Sequence, residues 1–343
     1  MTKEKIQQIL IHFFPRSTLR TVEAIDIGLI NNTYKITVSN QGIKSIFILQ
    51  RINTTIFPQP EWLMNNIVSV GQHLRSKAYA KTILLPVKTV DKKYIVELKG
   101  CYWRLYPFVE NTHTFNTVEN SEMAYSAAFA FGEYTRSLAD LDGEKLHATI
   151  PDFHNTSLHY QQFYATLKTA SNRRLTAAQR TIKSIVKYRY LVSLSQNLSL
   201  PVRVVHNDTK INNLLFDKKT QQPVCVIDLD TVMAGSVLYD YGDMVRTFVP
   251  NLDENSADWQ NLQLRLPILR ALHAGYLAGW DGELTTLETK LLHFGAQLTV
   301  FEQAIRFLTD YLRGDVYYPV KYDTQNLVRA KNQLRLLELL NEL

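Results

Sequence analysis

The stretch VRVVHNDTKINNLLFD, residues 202 to 217, decides how the chain is read. An apolar, β-branched run stops abruptly in His206-Asn207-Asp208-Thr209-Lys210, two asparagines follow, and a second apolar run begins at Leu214. Polar residues between strands usually make only a turn. Here they also supply a base, a cation and a hard oxygen ligand. An aspartate in an ordered loop can accept the proton of an incoming hydroxyl, and an asparagine carbonyl five residues later points at a metal ion from the same loop. Lys210, two residues after Asp208, is placed to neutralise charge on a transferred phosphoryl group.

Fifteen residues beyond Asn213, Asp228 stands at the end of the run VCVIDLD, where a carboxylate completes Mg²⁺ coordination and Asp230 is placed to assist. The spacing His206-x-Asp208-x-x-x-x-Asn213 is the one used by phosphotransferases of the protein-kinase type. The runs NLLFD and VCVIDLD, joined by the turn KKTQQP, put loop, hairpin and strand-end aspartate in that order. Phosphoryl transfer therefore explains the stretch better than an Asx-rich turn does. His206 reads as structural, its ring bonding the loop backbone and holding Asp208 in place. A metal hydrolase fits less well, since no second histidine follows at ligand spacing and HExxH is absent.

Upstream, residues 22 to 110 are strand-rich: NNTYKITV alternates, KSIFILQRI is β-branched, and KYIVELKG with CYWRLYPF forms a hairpin around Gly100. One helix interrupts them at about 61 to 75, opened by FPQP. Gly28, in DIGLINNTYKI, marks the candidate phosphate-covering loop between two strands. The third strand of a kinase normally offers a lysine to the nucleotide phosphates. Here Gln50 and Arg51 stand there, and alternation leaves open which of them faces the nucleotide; Arg51 is the candidate cation. After residue 110 the pattern turns helical, at about 119–140, 157–170, 176–197, 257–279, 282–313 and 323–341. The expectation is an α+β, two-lobed, protein-kinase-like fold: residues 1–110 form a nucleotide-binding lobe with an antiparallel sheet and one helix, and 111–343 a larger, mainly helical lobe with the catalytic loop and acceptor site.

A length of 343 residues suits two lobes, and 45% hydrophobic with 20% charged residues is ordinary globular composition. The net charge of +6 carries no basic tail, which speaks against nucleic acid as a partner. Two cysteines, Cys101 and Cys225, offer neither a disulfide framework nor a cysteine zinc site, and a reducing cytoplasm fits. The N-terminal MTKEKIQQILIHFFPRS is too short and broken for a signal peptide or a membrane span.

Glu302, Arg306 and Asp310 recur every four residues, with Arg313 three later. A solvated, salt-bridged helix face accounts for that spacing. Gly314 ends the helix, however, and DVYYPV follows, so Arg306 and Tyr317 can instead converge on an acceptor, one as a fork for oxygens and one as a stacking ring. In DYGDMVR, Asp240 and Asp243 read as structural caps at the start of a helix.

The chain resembles the aminoglycoside phosphotransferase and choline kinase superfamily. Within it the stretches GLINNTYKI, FILQRINTTIFPQP, WRLYPFVENTHTF, IPDFHNTSLHY, HNDTKINNLLFD, VCVIDLDTVMAGSVLYDYGDMVRT and FLTDYLRGDVYYPV are most similar to N-acetylhexosamine 1-kinases, and they span nearly the whole chain. The resemblance implies ATP- and Mg²⁺-dependent phosphorylation of the anomeric hydroxyl of N-acetylglucosamine or N-acetylgalactosamine. It implies Asp208 as base or orienter of the sugar hydroxyl and Asn213 and Asp228 as metal ligands. Adenine would lie against the hinge at Tyr106, Phe108 and Val109, with Gly28, Asn32 and Arg51 toward the nucleotide and Arg306 and Tyr317 on the sugar. Gln50 or Arg51 in place of the lysine departs from the superfamily pattern. A kinase for choline, homoserine or an aminoglycoside is the nearer rival, and a non-catalytic nucleotide-binding protein the more distant one. The six basic and six acidic residues of 301 to 343 do not make the acidic lobe that a polycation favours.

Overall fold

The computed structural model of the chain describes residues 2–25 and 30–343. In chain order its elements are α1 (Lys3–Leu10), β1 (Ser17–Ile25), β2 (Asn32–Asn40), β3 (Ile43–Arg51), α2 (Pro60–Ser76), β4 (Val96–Leu98), β5 (Cys101–Pro107), β6 (Thr112–His113), α3 (Ser121–Arg136), α4 (Thr156–Thr166), α5 (Asn172–Lys187), α6 (Tyr190–Gln196), β7 (Arg203–Val205), β8 (Leu214–Asp217), β9 (Pro223–Val226), β10 (Met233–Gly235), α7 (Val237–Phe248), α8 (Leu266–Trp280), α9 (Thr286–Arg313) and α10 (Gln325–Leu340). They form two compact units, one of residues 1–113, 137–151 and 215–234, the other of residues 114–136, 152–214 and 235–343. The architecture is α+β, with an antiparallel N-terminal sheet and a helical remainder.

In the first unit the sheet order is β1-β2-β3-β5-β4. Strand alternation sends Ile36, Val38, Leu49, Trp103 and Leu105 to one face, where they bury against Ile6, Ile9 and Leu10 of α1. Pro60 at the first helical position and Glu61 in the first turn start α2. Two segments beyond residue 113 belong to this unit. Asn66 of α2 is buried and uses its whole amide on them: Nδ2 donates to the carbonyls of His147 (2.7 Å) and Val232 (3.0 Å), and Oδ1 accepts from the His147 amide (2.9 Å). The β8-β9 hairpin pairs with β6, Thr112 opposite Asp217 and His113 opposite Phe216. Such long-range ties are invisible to a boundary drawn from a change in periodicity.

In the second unit, helices meet backbone to backbone. Gly275 and Gly279 of α8 face Tyr125 and Phe129 of α3, and Gly132 of α3 faces the Tyr276 carbonyl, so a Cβ at any of the three would meet main chain. Gly242 and Gly295 do the same for α7 and α9. The expected helix at 176–197 is two helices, because the backbone turns after Lys187 and Tyr188 buries its ring beside Phe301 (6.5 Å). The helix expected from 257 starts only at Leu266, where Arg265 holds the carbonyls of Val118 and Phe248 and Pro267 occupies the first turn. A capping box of Thr285 and Glu288 opens the 28-residue α9. No helix among the described residues is long and apolar enough to cross a membrane.

Replacing Gly279 by Ala should lower stability by about 1–3 kcal/mol through overpacking against α3. A shift in urea midpoint at unchanged m-value would register it.

Candidate active site

The second unit holds the candidate catalytic loop. Val204 and Val205 of β7 are buried, His206 is wholly buried, and the backbone then passes through the left-handed region at Asn207 (φ 64°). Asparagine tolerates that conformation better than most side chains, which accounts for its place here. The His206 ring lies edge-on to Phe131 (5.6 Å) and Tyr134 (6.2 Å), and its Nδ1 accepts the Asp208 amide (3.3 Å).

Asp208 is oriented by its neighbours. Its Oδ2 accepts from Lys210 Nζ (2.8 Å) and Asn213 Nδ2 (2.9 Å), and Asn213 Nδ2 also reaches the Asp208 carbonyl (2.8 Å). Burial pushes the carboxyl upward, but Lys210, His206 and Asn213 outweigh it, and the net position is below the usual carboxylate range. The Asp208 carboxylate is thus ionised at neutral pH. With the Asn213 nitrogen turned to Asp208, its carbonyl oxygen points the other way, which suits a hard cation.

Asp240 is the residue that the sequence misassigned. Ser236 caps α7, accepting the Leu238 amide (3.3 Å), and Asp240 turns away to the catalytic loop. Its carboxylate accepts the amides of His206 (3.1 Å) and Asn207 (2.7 Å) and the Thr135 hydroxyl (3.2 Å), while Thr209 donates to its carbonyl (2.6 Å). Burial raises its carboxyl pKa against the pull of His206 and the two amides. Asp243 is not a cap either. Its Oδ1 accepts both Nε (3.0 Å) and Nη2 (2.8 Å) of Arg246, whose Nη1 reaches Glu254 (2.6 Å). The signal available beforehand was two acids three apart in the otherwise apolar helix VLYDYGDMVRTF, where an unpaired buried charge would be costly.

The expected salt-bridged face of α9 is replaced by a division of labour. Glu302 is buried against Thr156 (2.5 Å) and His154 (2.8 Å), and Asp310 caps the loop after Gly314. Arg306 lies over the rings of Phe153 (5.1 Å) and Tyr318 (5.8 Å). Tyr317 rests edge-on against Tyr318 (4.8 Å) with 47% of its surface exposed. Arg306 and Tyr317 thus both contact the Tyr318 ring. The Arg306 charge is felt through its electrostatic coupling with Arg246, and Arg246 couples with Asp208.

In the first unit, Asp228 is exposed beyond β9 in a left-handed conformation (φ 59°). Asp230, expected to assist it, is engaged elsewhere. Arg104 contacts it through Nη1 (2.6 Å) and Nη2 (2.8 Å), Asn31 donates to it (2.7 Å), and all of the pair is buried. Arg104 also donates to Gln50 (2.9 Å), which donates to Thr33 (3.2 Å). Asp230 and, farther off, Asp228 hold the Arg104 charge against desolvation. Gln50 therefore shares the sheet face of Arg104. Arg51, the expected phosphate cation, is exposed, opposite Trp103 and Asn32 in register, on the α1 face. The pleat places Arg51 and Asn32 on the α1 face and Gln50 on the face of Arg104, because successive side chains leave a strand on opposite faces. Tyr106 is buried with Arg104 5.3 Å from its ring; Phe108 carries Lys35 (4.6 Å); and the Val109 carbonyl accepts from Thr112 (2.7 Å). Gly28 lies outside the described residues.

A family model described as the phosphotransferase enzyme family matches residues 21–282. The chain belongs to that family. It is a phosphotransferase, and its fold is that of small-molecule kinases. Spectinomycin phosphotransferase APH(9)-Ia, solved with ADP and spectinomycin, superposes with a TM-score of 0.65 at 11% identity, covering 99% of this chain and 98% of that one. A microcompartment-associated aminopropanol kinase gives 0.61 at 18% identity (98% and 97%). An aminoglycoside phosphotransferase from Alicyclobacillus acidocaldarius subsp. acidocaldarius gives 0.60 at 11% (98% and 95%).

Two outcomes are expected. Lys210→Met should move the acid limb of kcat/KM upward, because burial of Asp208 then acts without the ammonium that opposes it. The stability contributed by the lowered Asp208 pKa is present above the ordinary carboxylate range and lost as pH falls through the lowered value. Arg104→Met should cost about 3–5 kcal/mol by leaving Asp230 buried and uncompensated, and Arg104→Met with Asp230→Leu should recover much of it in denaturant titrations.

Proposed function

We propose that this phosphotransferase moves the γ-phosphoryl group of ATP to the anomeric hydroxyl of an N-acetylhexosamine. The observation that carries phosphoryl transfer is the ionised Asp208 carboxylate, fixed by Lys210 and Asn213 on a loop whose backbone is tied down by Asp240. Asp208 accepts the hydrogen bond of the acceptor hydroxyl and aligns its oxygen for in-line attack. As the new P–O bond forms, the bond from the γ-phosphorus to the β,γ-bridging oxygen breaks and ADP departs, the hydroxyl proton passes to the Asp208 carboxylate, and Lys210 stabilises the charge on the transferring group.

Asn213, through its carbonyl oxygen, and Asp228, through an exposed carboxylate, would hold Mg²⁺. Bound there, the ion would neutralise charge on the nucleotide phosphates. Mg²⁺ takes only one or two protein ligands in such sites, so the fit does not require a protein cage. Adenine is assigned to the segment of Tyr106, Phe108 and Val109 and the phosphates to the loop around Gly28, with Gln50 as the contribution of β3.

The sugar reading rests on Arg306 and Tyr317, a fork and an exposed ring. The kinship with aminoglycoside and aminopropanol kinases raises a cationic acceptor as the alternative. The Arg306 guanidinium, assigned to the acceptor, disfavours a cation there.

The test is ADP release with ATP and Mg²⁺ on N-acetylglucosamine, N-acetylgalactosamine, glucose, galactose, choline, aminopropanol and kanamycin, with the product identified. A sugar 1-phosphate from the N-acetyl sugars is expected; turnover confined to an amine-bearing acceptor overturns the sugar assignment. Asp208→Asn should lower kcat by about 10²–10⁴, and Asp228→Ala should weaken the Mg²⁺ requirement curve. Near-normal turnover in the first, or an unchanged metal titration in the second, would sink the corresponding role.

A further inference from the structure

The chain that follows α9 is organised around one buried carboxylate. At Gly314 the helix ends in a left-handed turn (φ 100°), and Asp315 is also left-handed (φ 60°), so the backbone reverses over the last turn of α9. Three consecutive amides then converge on Asp310: Val316 (3.0 Å) and Tyr317 (2.9 Å) donate to Oδ1, and Tyr318 (2.9 Å) donates to Oδ2. Asn326 of α10 donates to Asp310 Oδ2 (3.0 Å) and to Asp315 Oδ1 (2.9 Å), and Arg174 pairs with Asp315 (2.6 Å). Asp310 is only 4% exposed. A carboxylate with four donors on it is a rigid anchor, since charge-assisted hydrogen bonds are the strong ones.

This anchor determines where the aromatic side chains go. With its amide held, Tyr318 lays its ring on Phe307 (4.7 Å) and receives Gln303 Nε2 at its hydroxyl (3.3 Å). Gln303, Arg306, Phe307 and Asp310 recur at three- and four-residue spacing, so they line one face of α9 under the loop. Tyr317 is left outside, its ring standing against Tyr318, while Val316 is exposed as well. Two large side chains left in water, Val316 and Tyr317, are unusual for a loop that is this firmly hydrogen-bonded. The order there lays the Tyr318 ring on Phe307 and leaves the Tyr317 ring exposed against it.

We propose that Asp310 is a positioning residue for acceptor recognition: by gathering the amides of residues 316 to 318 it holds Tyr317 and Tyr318 at the angle to Arg306 that an uncharged, hydroxyl-bearing ring requires. Asp310 itself touches no substrate. This rests on the reading of Arg306 and Tyr317 as the acceptor site. Sugar rings present a flat apolar face and an edge of hydroxyls, so a fixed aromatic face next to a planar fork recognises both at once. A mobile loop would have to be ordered on binding, and that cost would appear in acceptor affinity.

The experiment compares wild type, Asp310→Asn and Asp310→Ala in steady-state kinetics with the best acceptor of the panel above, varying acceptor and ATP separately. The expected result is a rise of at least about tenfold in acceptor KM for Asp310→Ala, a smaller rise for Asp310→Asn, which keeps one acceptor oxygen, and ATP KM and kcat within about twofold. An unchanged acceptor KM, or a fall in kcat with a parallel change in ATP KM, overturns the inference and leaves phosphoryl transfer standing. Should the alanine variant fail to fold, Asn326→Ala removes a single donor to Asp310; acceptor KM should still rise in it, and no rise overturns the inference. Wild-type silence on every hydroxyl compound overturns the phosphoryl-transfer reading itself.

Discussion

The carboxylate of Asp240 is the constraint on which the loop of residues 206–213 depends. Just beyond β7 the amides of His206 and Asn207 are buried, the second in a left-handed residue. Unmet, each would cost about 1–3 kcal/mol. Asp240 meets both at once from α7, and Thr209 returns the bond to the Asp240 carbonyl, so the loop is clasped on two sides. The conformation of Asp208 follows from that clasp. Its ionisation follows from Lys210 and Asn213, which meet it only when the backbone is so held.

A similar logic governs the first unit, with a different pair of residues. Burying Arg104 and Asp230 carries a desolvation cost that their attraction offsets only with good geometry and further hydrogen bonds. Those bonds are supplied by Gln50, Asn31 and Thr149, the last donating to the Asp230 carbonyl (2.8 Å). The pair therefore joins β5, β3, the start of β2 and the segment after β9. What a kinase lysine on β3 would do with its charge is here the position of a neutral Gln50, and the buried cation comes from the adjacent strand.

Much of this was legible in the residues. The loop and the order of the elements around it could be read, because the candidate residues are packed into eight positions and strand periodicity is strong on both sides. What could not be read depends on partners distant in sequence. Asp240 looked like a cap because its position in the first turn of α7 is where caps and dipole-compensating acids occur; its real partners lie over thirty residues earlier. Glu302 and Asp310 looked like members of a charged stripe because helical spacing says which residues share a face and not what faces them. Arg51 and Gln50 were indistinguishable until the register with Trp103 and Arg104 assigned each to a side of the sheet.

Helix α9 carries contacts of three kinds along one rod about 42 Å long at 1.5 Å per residue. Glu302 meets the segment before α4, Arg306 meets the aromatic rings, and Asp310 gathers the loop beyond the helix. Each depends on an angular position around a common axis, and one added or deleted residue turns everything downstream by about 100°. Single side-chain replacements along α9 therefore leave the other contacts in register, whereas insertions or deletions within the helix displace them all. Length variation among its relatives should be absorbed in the connections on either side of α9.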